Sequence, residues 1–238
     1  MPDATFRSSP ARTVLNDLFA ASERVDRPLL AQFASLPAAE QAAFLADHHT
    51  LYAVHAKDAY LPVSRATGEL LYLLARARRP STIVEFGTSF GVSTIFLASA
   101  LRDQGHGRLV GTELTPTKAA RARANVAAAG LGELVEIREG DALETLRREL
   151  PGPVGFFLLD GAKALYADVL RVLAPSLEVG AIVVADNADM DASFRAELRA
   201  SAAWLTIPWA DDLEVSMWLG DGLRGSGTRP SSPRTSLP

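Results

Sequence analysis

The chain has 238 residues, 48% of them hydrophobic, which is enough for one sizeable core. Its net charge of -4 offers no bulk attraction to nucleic acid, and the absence of cysteine rules out disulfides, zinc thiolate sites and thiol nucleophiles. No apolar run reaches membrane-spanning length and residues 1–14 lack the apolar core of a signal peptide, so a cytoplasmic protein without membrane contact is expected.

Taken in chain order, residues 11–79 read as helical. Val14, Leu15, Leu18 and Phe19 recur at helical spacing, as do Leu70, Leu71, Leu73 and Leu74. Pro28, Pro37 and Pro62 are expected to divide this stretch into several helices. Arg76, Arg78 and Arg79 mark a helix end, where cations complement the helix dipole. Residues 1–79 thus form a helical extension or cap, which would cover a site or make a homodimer interface.

From Thr82 the rhythm becomes an alternation of strand and helix. The strands are Thr82–Phe86, Arg108–Glu113, Val135–Glu139, Gly155–Leu159 and Ala181–Ala185. Between them fall helices at Val92–Arg102, Pro116–Ala129, Ala142–Glu149 and Lys163–Ala174, with Pro116 and Gly130 as start and stop signals. Repeated βα units imply a parallel sheet wrapped by helices, with ligands at the carboxyl ends of the strands. After a helix at Asp191–Ala202, strands Trp204–Pro208 and Leu213–Leu219 are joined too closely for a crossover and must form an antiparallel hairpin. The domain spans residues 80–219, and the Gly-, Ser-, Pro- and Arg-rich tail, 220–238, is expected to be disordered.

Two acidic signatures end neighbouring strands. In Leu159-Asp160-Gly161-Ala162-Lys163 and Val184-Ala185-Asp186-Asn187 an apolar run breaks into oxygen donors. Adjacent strands lie about 4.8 Å apart, so Asp160, Asp186 and Asn187 should converge. Three hard oxygen donors suit Mg²⁺, which leaves positions for water or substrate. Lys163 would project its amine to the same place.

Three further strand ends carry Glu85-Phe86-Gly87-Thr88-Ser89-Phe90-Gly91, Gly111-Thr112-Glu113 and Glu139-Gly140-Asp141-Ala142. Gly87 permits a tight turn. An acid at Glu113 suits the two hydroxyls of a ribose, or is a solvated strand end. Asp141 meets an adenine edge or caps the next helix. The spacing is not Gly-x-Gly-x-x-Gly, so a nucleoside without a diphosphate fits better than a dinucleotide.

Residues 82–219 resemble the cation-dependent O-methyltransferases, a class I S-adenosylmethionine family that includes catechol and caffeoyl-CoA O-methyltransferases. The matching pieces are Val84 to Ser93, Thr112-Glu113-Leu114-Thr115-Pro116, Leu159 to Lys163 and Ala185-Asp186-Asn187. The resemblance implies an α/β, Rossmann-like seven-stranded sheet, mostly parallel, with a C-terminal antiparallel hairpin. It implies S-adenosyl-L-methionine held by Val63, Glu85, Gly87, Ser89, Ser93, Glu113, Asp141, Ala142 and Asp160. Glu85 and Gly87 would border its methionine part, Ser93 its carboxylate, and Leu61-Pro62-Val63-Ser64 would close over it. Asp160, Asp186 and Asn187 would bind Mg²⁺ or another divalent cation, and Lys163 would be the general base.

The reaction so implied is methyl transfer to a hydroxyl of a small phenolic or vicinal-diol acceptor. An N-acceptor, a non-catechol acceptor and a non-catalytic S-adenosylmethionine-binding module are the alternatives. The chain departs from the catechol enzymes at Leu205, near where their hydroxyl-contacting glutamate would fall. Ala162 stands where relatives often carry a larger or acidic residue. Glu214 reads as structural, Trp204, Trp209 and Trp218 as core or edge packing, and His48, His49 and His55 as surface or packing residues of helices.

Overall fold

Every residue of Thr82–Phe86 (β1) and of Val154–Leu159 (β4) is buried, the pattern of strands covered on both faces. They belong to a seven-stranded sheet with Arg108–Glu113 (β2), Val135–Glu139 (β3), Leu177–Ala185 (β5), Trp204–Pro208 (β6) and Glu214–Trp218 (β7). The order is β3-β2-β1-β4-β5-β7-β6, parallel from β3 to β5 and antiparallel at β7 and β6. This is the Rossmann-like sheet, mostly parallel with a C-terminal antiparallel hairpin, expected from the sequence. The computed structural model describes residues 4–41 and 56–220; His48, His49, His55 and the tail from residue 221 lie outside them.

The α-helices that pack on the sheet or flank its strands are α1 (Ala11–Ala34), α2 (Arg65–Arg78), α3 (Val92–Gln104), α4 (Pro116–Ala128), α5 (Ala142–Thr145), α6 (Tyr166–Leu173) and α7 (Ala192–Ala200). None is long and apolar enough to cross a membrane. The period-two alternation of the strands decides which helices cover which face. Ile83, Phe156, Leu158 and Val184 pack with Leu15 and Leu18 of α1, Leu71 of α2 and Phe96 of α3. Val84, Phe157, Leu159 and Val183 pack with Tyr166 and Val169 of α6 and Phe194 and Leu198 of α7. Each such side chain, fully buried, contributes about 1.5–3 kcal/mol.

Two expectations fail, each for a tertiary reason. Pro28 does not divide the N-terminal helices: it lies inside the 24-residue α1. Proline removes one helical N–H, but Pro28 is exposed, where water can take the orphaned carbonyl. The helix expected at Ala142–Glu149 stops at Thr145. The buried Arg138 guanidinium donates to the carbonyls of Thr145 (3.0 Å), Arg148 (3.4 Å) and Glu149 (2.6 Å), drawing off acceptors that a longer helix would use.

Glu214, at the start of β7, has a fully buried side chain. Its Oε1 accepts from Arg195 Nε at 2.9 Å and its Oε2 from Arg199 Nε at 3.1 Å, so α7 is riveted to the hairpin. Removing one partner of a buried ion pair is costly because the other charge is stranded. Glu214→Ala should therefore lower stability by about 2–3 kcal/mol, the low end of that range because both arginines reach solvent. Chemical denaturation monitored by tryptophan fluorescence checks this; an unchanged midpoint would show the rivet to be idle.

Candidate active site

A cleft of about 1700 Å³ opens at the carboxyl ends of the parallel strands, where the strand order reverses between β1 and β4. Register builds its floor. Phe86 pairs with Leu159 and Leu159 with Ala185, so Gly87, Asp160 and Asp186 leave the sheet side by side. The Asp160 N–H donates to the Phe86 carbonyl at 2.8 Å, and the Asp186 N–H to the Leu159 carbonyl at 2.9 Å. From below, the Tyr166 hydroxyl sits between the carbonyls of Leu159 (2.8 Å) and Asp186 (2.7 Å). Glycine is required where the first two loops touch. A Cβ on Gly87 (φ +98°) would lie 2.5 Å from the Asp160 carbonyl oxygen, and one on Gly161 would lie 2.5 Å from the Phe86 ring.

The acidic end holds more negative charge than it pairs. Lys163 Nζ lies 3.1 Å from Asp160 Oδ1, with the two side chains only 12% and 10% exposed. The Asp186 carboxyl lies beside that of Asp160, at the end of the neighbouring strand. Burial pushes Asp160 above the ordinary carboxylate range, against the pull of Lys163. Burial and then the charge of Asp160 push Asp186 up to about 7. Each of two neighbouring acids opposes the ionisation of the other. Asn187 follows in left-handed backbone (φ +49°), and the next N–H, of Ala188, donates to the Asp212 carbonyl at 2.8 Å.

The other end is built on the β1 turn and the tip of β2. Glu113 is buried rather than a solvated strand end: Oε2 accepts from the Ser89 N–H and Oε1 from the Thr115 N–H, both at 2.8 Å. Each carboxylate oxygen keeps a lone pair for a hydroxyl. Asp141 does cap α5, accepting from the Leu143 N–H at 2.8 Å, while also lining the cleft. Val63, Gly87, Ser89, Ser93 and Ala142 line it too, as do Asp160, Lys163, Asp186 and Asn187.

Glu85 lies beneath the cleft, not on its wall. It is fully buried and accepts from the hydroxyls of Thr88 (3.0 Å) and Thr94 (2.5 Å). Burial raises its pKa, and the surrounding hydroxyls oppose the rise. Trp204 and Trp218 pack on each other at 4.6 Å between ring centres, as expected, but Trp209 is 59% exposed and lines the cleft beside Met190 and Asp212. Asp26 and Tyr60 also line the cleft, with no rim motif to announce them. So does Lys118, whose pKa burial lowers, against the carboxylates of Glu113, Asp26 and Asp58.

Residues 84–188 match the family model of a methyltransferase domain. A catechol O-methyltransferase of Niastella koreensis is 36% identical to the chain over 134 residues, which are 55% of the chain and 60% of that protein. A catechol O-methyltransferase of Mycobacterium tuberculosis is 35% identical over 127 residues, 53% of the chain and 57% of that protein. The chain therefore spans about three fifths of the length of these curated relatives. The O-methyltransferase TomG of Streptomyces achromogenes, involved in tomaymycin synthesis and solved in complex with SAM, is 28% identical and superposes with a TM-score of 0.59. That match covers 74% of this chain and 90% of TomG.

The acidic rim comes at a cost to stability. An acid whose folded pKa is raised makes the folded state bind more protons than the unfolded one. Stability therefore falls as pH rises from the ordinary value of 3.8 through about 7. In EDTA at pH 8, Asp186→Asn should melt higher than wild type, by about 1–2 kcal/mol once the partial exposure of Asp186 is allowed for. The gain should shrink towards pH 5. A variant that melts lower at pH 8 would show that the ionised pair is comfortably solvated.

Proposed function

We propose that the chain is an S-adenosylmethionine-dependent O-methyltransferase. It methylates a hydroxyl of a small phenolic or vicinal-diol acceptor, with Mg²⁺ or another divalent cation on Asp160, Asp186 and Asn187. The observation that carries this reading is the pairing of Lys163 with Asp160 beside Asp186, in the same cleft as the Gly87–Ser93 turn and Glu113. The bound SAM of TomG and the catechol O-methyltransferase relatives support it.

The residues present fit both groups. Among the described residues no three His, Cys, Asp or Glu side chains form a ready metal cluster. The candidate set is instead two neighbouring carboxyls and one amide, all hard oxygen donors lining the cleft. A cation there would offset the like charge of the two carboxyls. At the other end, Glu113 would accept from the ribose hydroxyls, Asp141 and Ala142 would flank the adenine, and Val63, Gly87, Ser89 and Ser93 would surround the amino-acid part.

When bound, the cation lowers the pKa of a chelated hydroxyl and the sulfonium supplies an activated methyl group. The protein's own task is then alignment and proton removal. Lys163 Nζ, held 3.1 Å from Asp160 and almost out of water, would accept the hydroxyl proton. Positioning the reactants supplies about 7–11 kcal/mol when the geometry is near attack. Trp209 and Met190, exposed at the cleft, would offer an aromatic acceptor an apolar wall.

Lys163→Ala should cut kcat by about 10²–10⁴-fold, the range for loss of a general base, while S-adenosylhomocysteine binds as before. EDTA should abolish turnover on catechols and hydroxycinnamoyl thioesters, and Mg²⁺ should restore it. Calorimetry with S-adenosylhomocysteine and a methyl-transfer screen check both. Equal turnover in EDTA and Mg²⁺ would remove the cation. Cofactor binding without turnover on any hydroxylated acceptor would leave a non-catalytic binding module.

A further inference from the structure

Residues 60–63, just ahead of α2, pass over the Gly87–Gly91 turn, and their backbone is unusual. Leu61 has φ +41°, a left-handed conformation that a residue bearing a side chain adopts only when its surroundings enforce it. The turn aims two consecutive N–H groups at one side chain. Asp26 Oδ1 accepts from Tyr60 at 2.7 Å and Asp26 Oδ2 from Leu61 at 2.8 Å. Asp26 is 5% exposed and comes from α1, where it continues the buried stripe of Leu15, Leu18 and Ser22.

The far side of the same segment grips the cofactor turn. The Tyr60 carbonyl accepts from Ser89 Oγ at 3.0 Å, and the Tyr60 ring stacks on Phe90 at 4.0 Å and 21°. Ser89 in turn donates its N–H to Glu113. Lys118 supplies the balancing cation, with its ammonium 5.5 Å from the centre of the Phe90 ring. Two buried carboxylates, Asp26 and Glu113, thus hold Ser89 and its neighbours from opposite sides. Leu61 itself is 39% exposed and adds little to the core, so burial of its side chain does not explain the strained turn.

We propose that Asp26 is a positioning residue for the cofactor: it pins the strap of residues 60–63 down over the Gly87–Gly91 turn, so that Val63 and Ser89 keep the shape of the site. This rests on the reading of that end of the cleft as the S-adenosylmethionine site. A carboxylate is needed because two N–H donors face it. An asparagine of the same size offers one acceptor oxygen and turns an NH₂ group towards the second donor.

The test is Asp26→Asn, compared with wild type by S-adenosylhomocysteine calorimetry, stopped-flow dissociation and amide exchange of Tyr60 and Leu61. If the strap is seated in about a tenth of the variant molecules, the apparent Kd rises about tenfold. Dissociation should quicken and both amides should exchange faster in the free protein. At saturating S-adenosylmethionine, kcat should stay within about twofold of wild type, so the loss appears in KM. Ser89→Ala releases the other end of the same strap, so the double variant should lose less than the product of the two single losses. Variant binding and exchange equal to wild type, or independent losses in the double variant, would overturn the clamp alone. Wild-type protein that fails to bind S-adenosylhomocysteine would overturn the cofactor reading and the clamp with it.

Discussion

The Asp160 N–H reaches the Phe86 carbonyl at 2.8 Å, and Gly87 presses against the Asp160 backbone where no other residue would fit. This contact joins the loops after β1 and β4, the two strands between which the chain reverses its direction across the sheet. The turn that leads into α3 and the acidic rim therefore share one wall of one cleft. If these loops stood one side chain further apart, Lys163 and Asp160 would no longer face the pocket beside Gly87. The rest of the site is elaboration on that closeness.

Five acids among the described residues are almost wholly withdrawn from water, and they differ in how far each is satisfied. Glu214 has two guanidinium groups, Asp26 and Glu113 have two backbone N–H groups each, and Glu85 has two hydroxyls on Oε2 while its Oε1 has no hydrogen-bond partner. Asp160 has one amine and, on its other side, a second carboxyl. Glu214, Asp26 and Glu113 are closed arrangements. Asp160 lines the cleft with a like charge beside it, the kind of environment that clusters at functional sites.

The sheet was legible in the residues because its central strands are buried on both faces and read as short, mostly apolar runs alternating with helix signals. The hairpin was legible because Asp211 and Asp212 leave no length for a crossover. Helix boundaries were less so wherever a distant group intervened: Arg138 removes the end of α5, and exposure spares α1 from Pro28. Of the site residues singled out, all but Glu85 line the cleft, since register alone carries strand ends to one rim. Asp26 escaped notice because its partners come 34 and 35 residues later. A signal was nonetheless present: an acid at a position of α1 that helical spacing assigns to the buried stripe with Leu15, Leu18 and Ser22.

Asn187 owes its left-handed backbone to a turn whose next N–H is taken by Asp212, between β6 and β7. That hairpin lies at the far end of the domain and leaves the ribosome after every other strand. The turn at Asn187 therefore gains its Asp212 anchor only after the last hairpin has joined the sheet, whereas Asp160 and Asp186 are already placed by their bonds to Phe86 and Leu159.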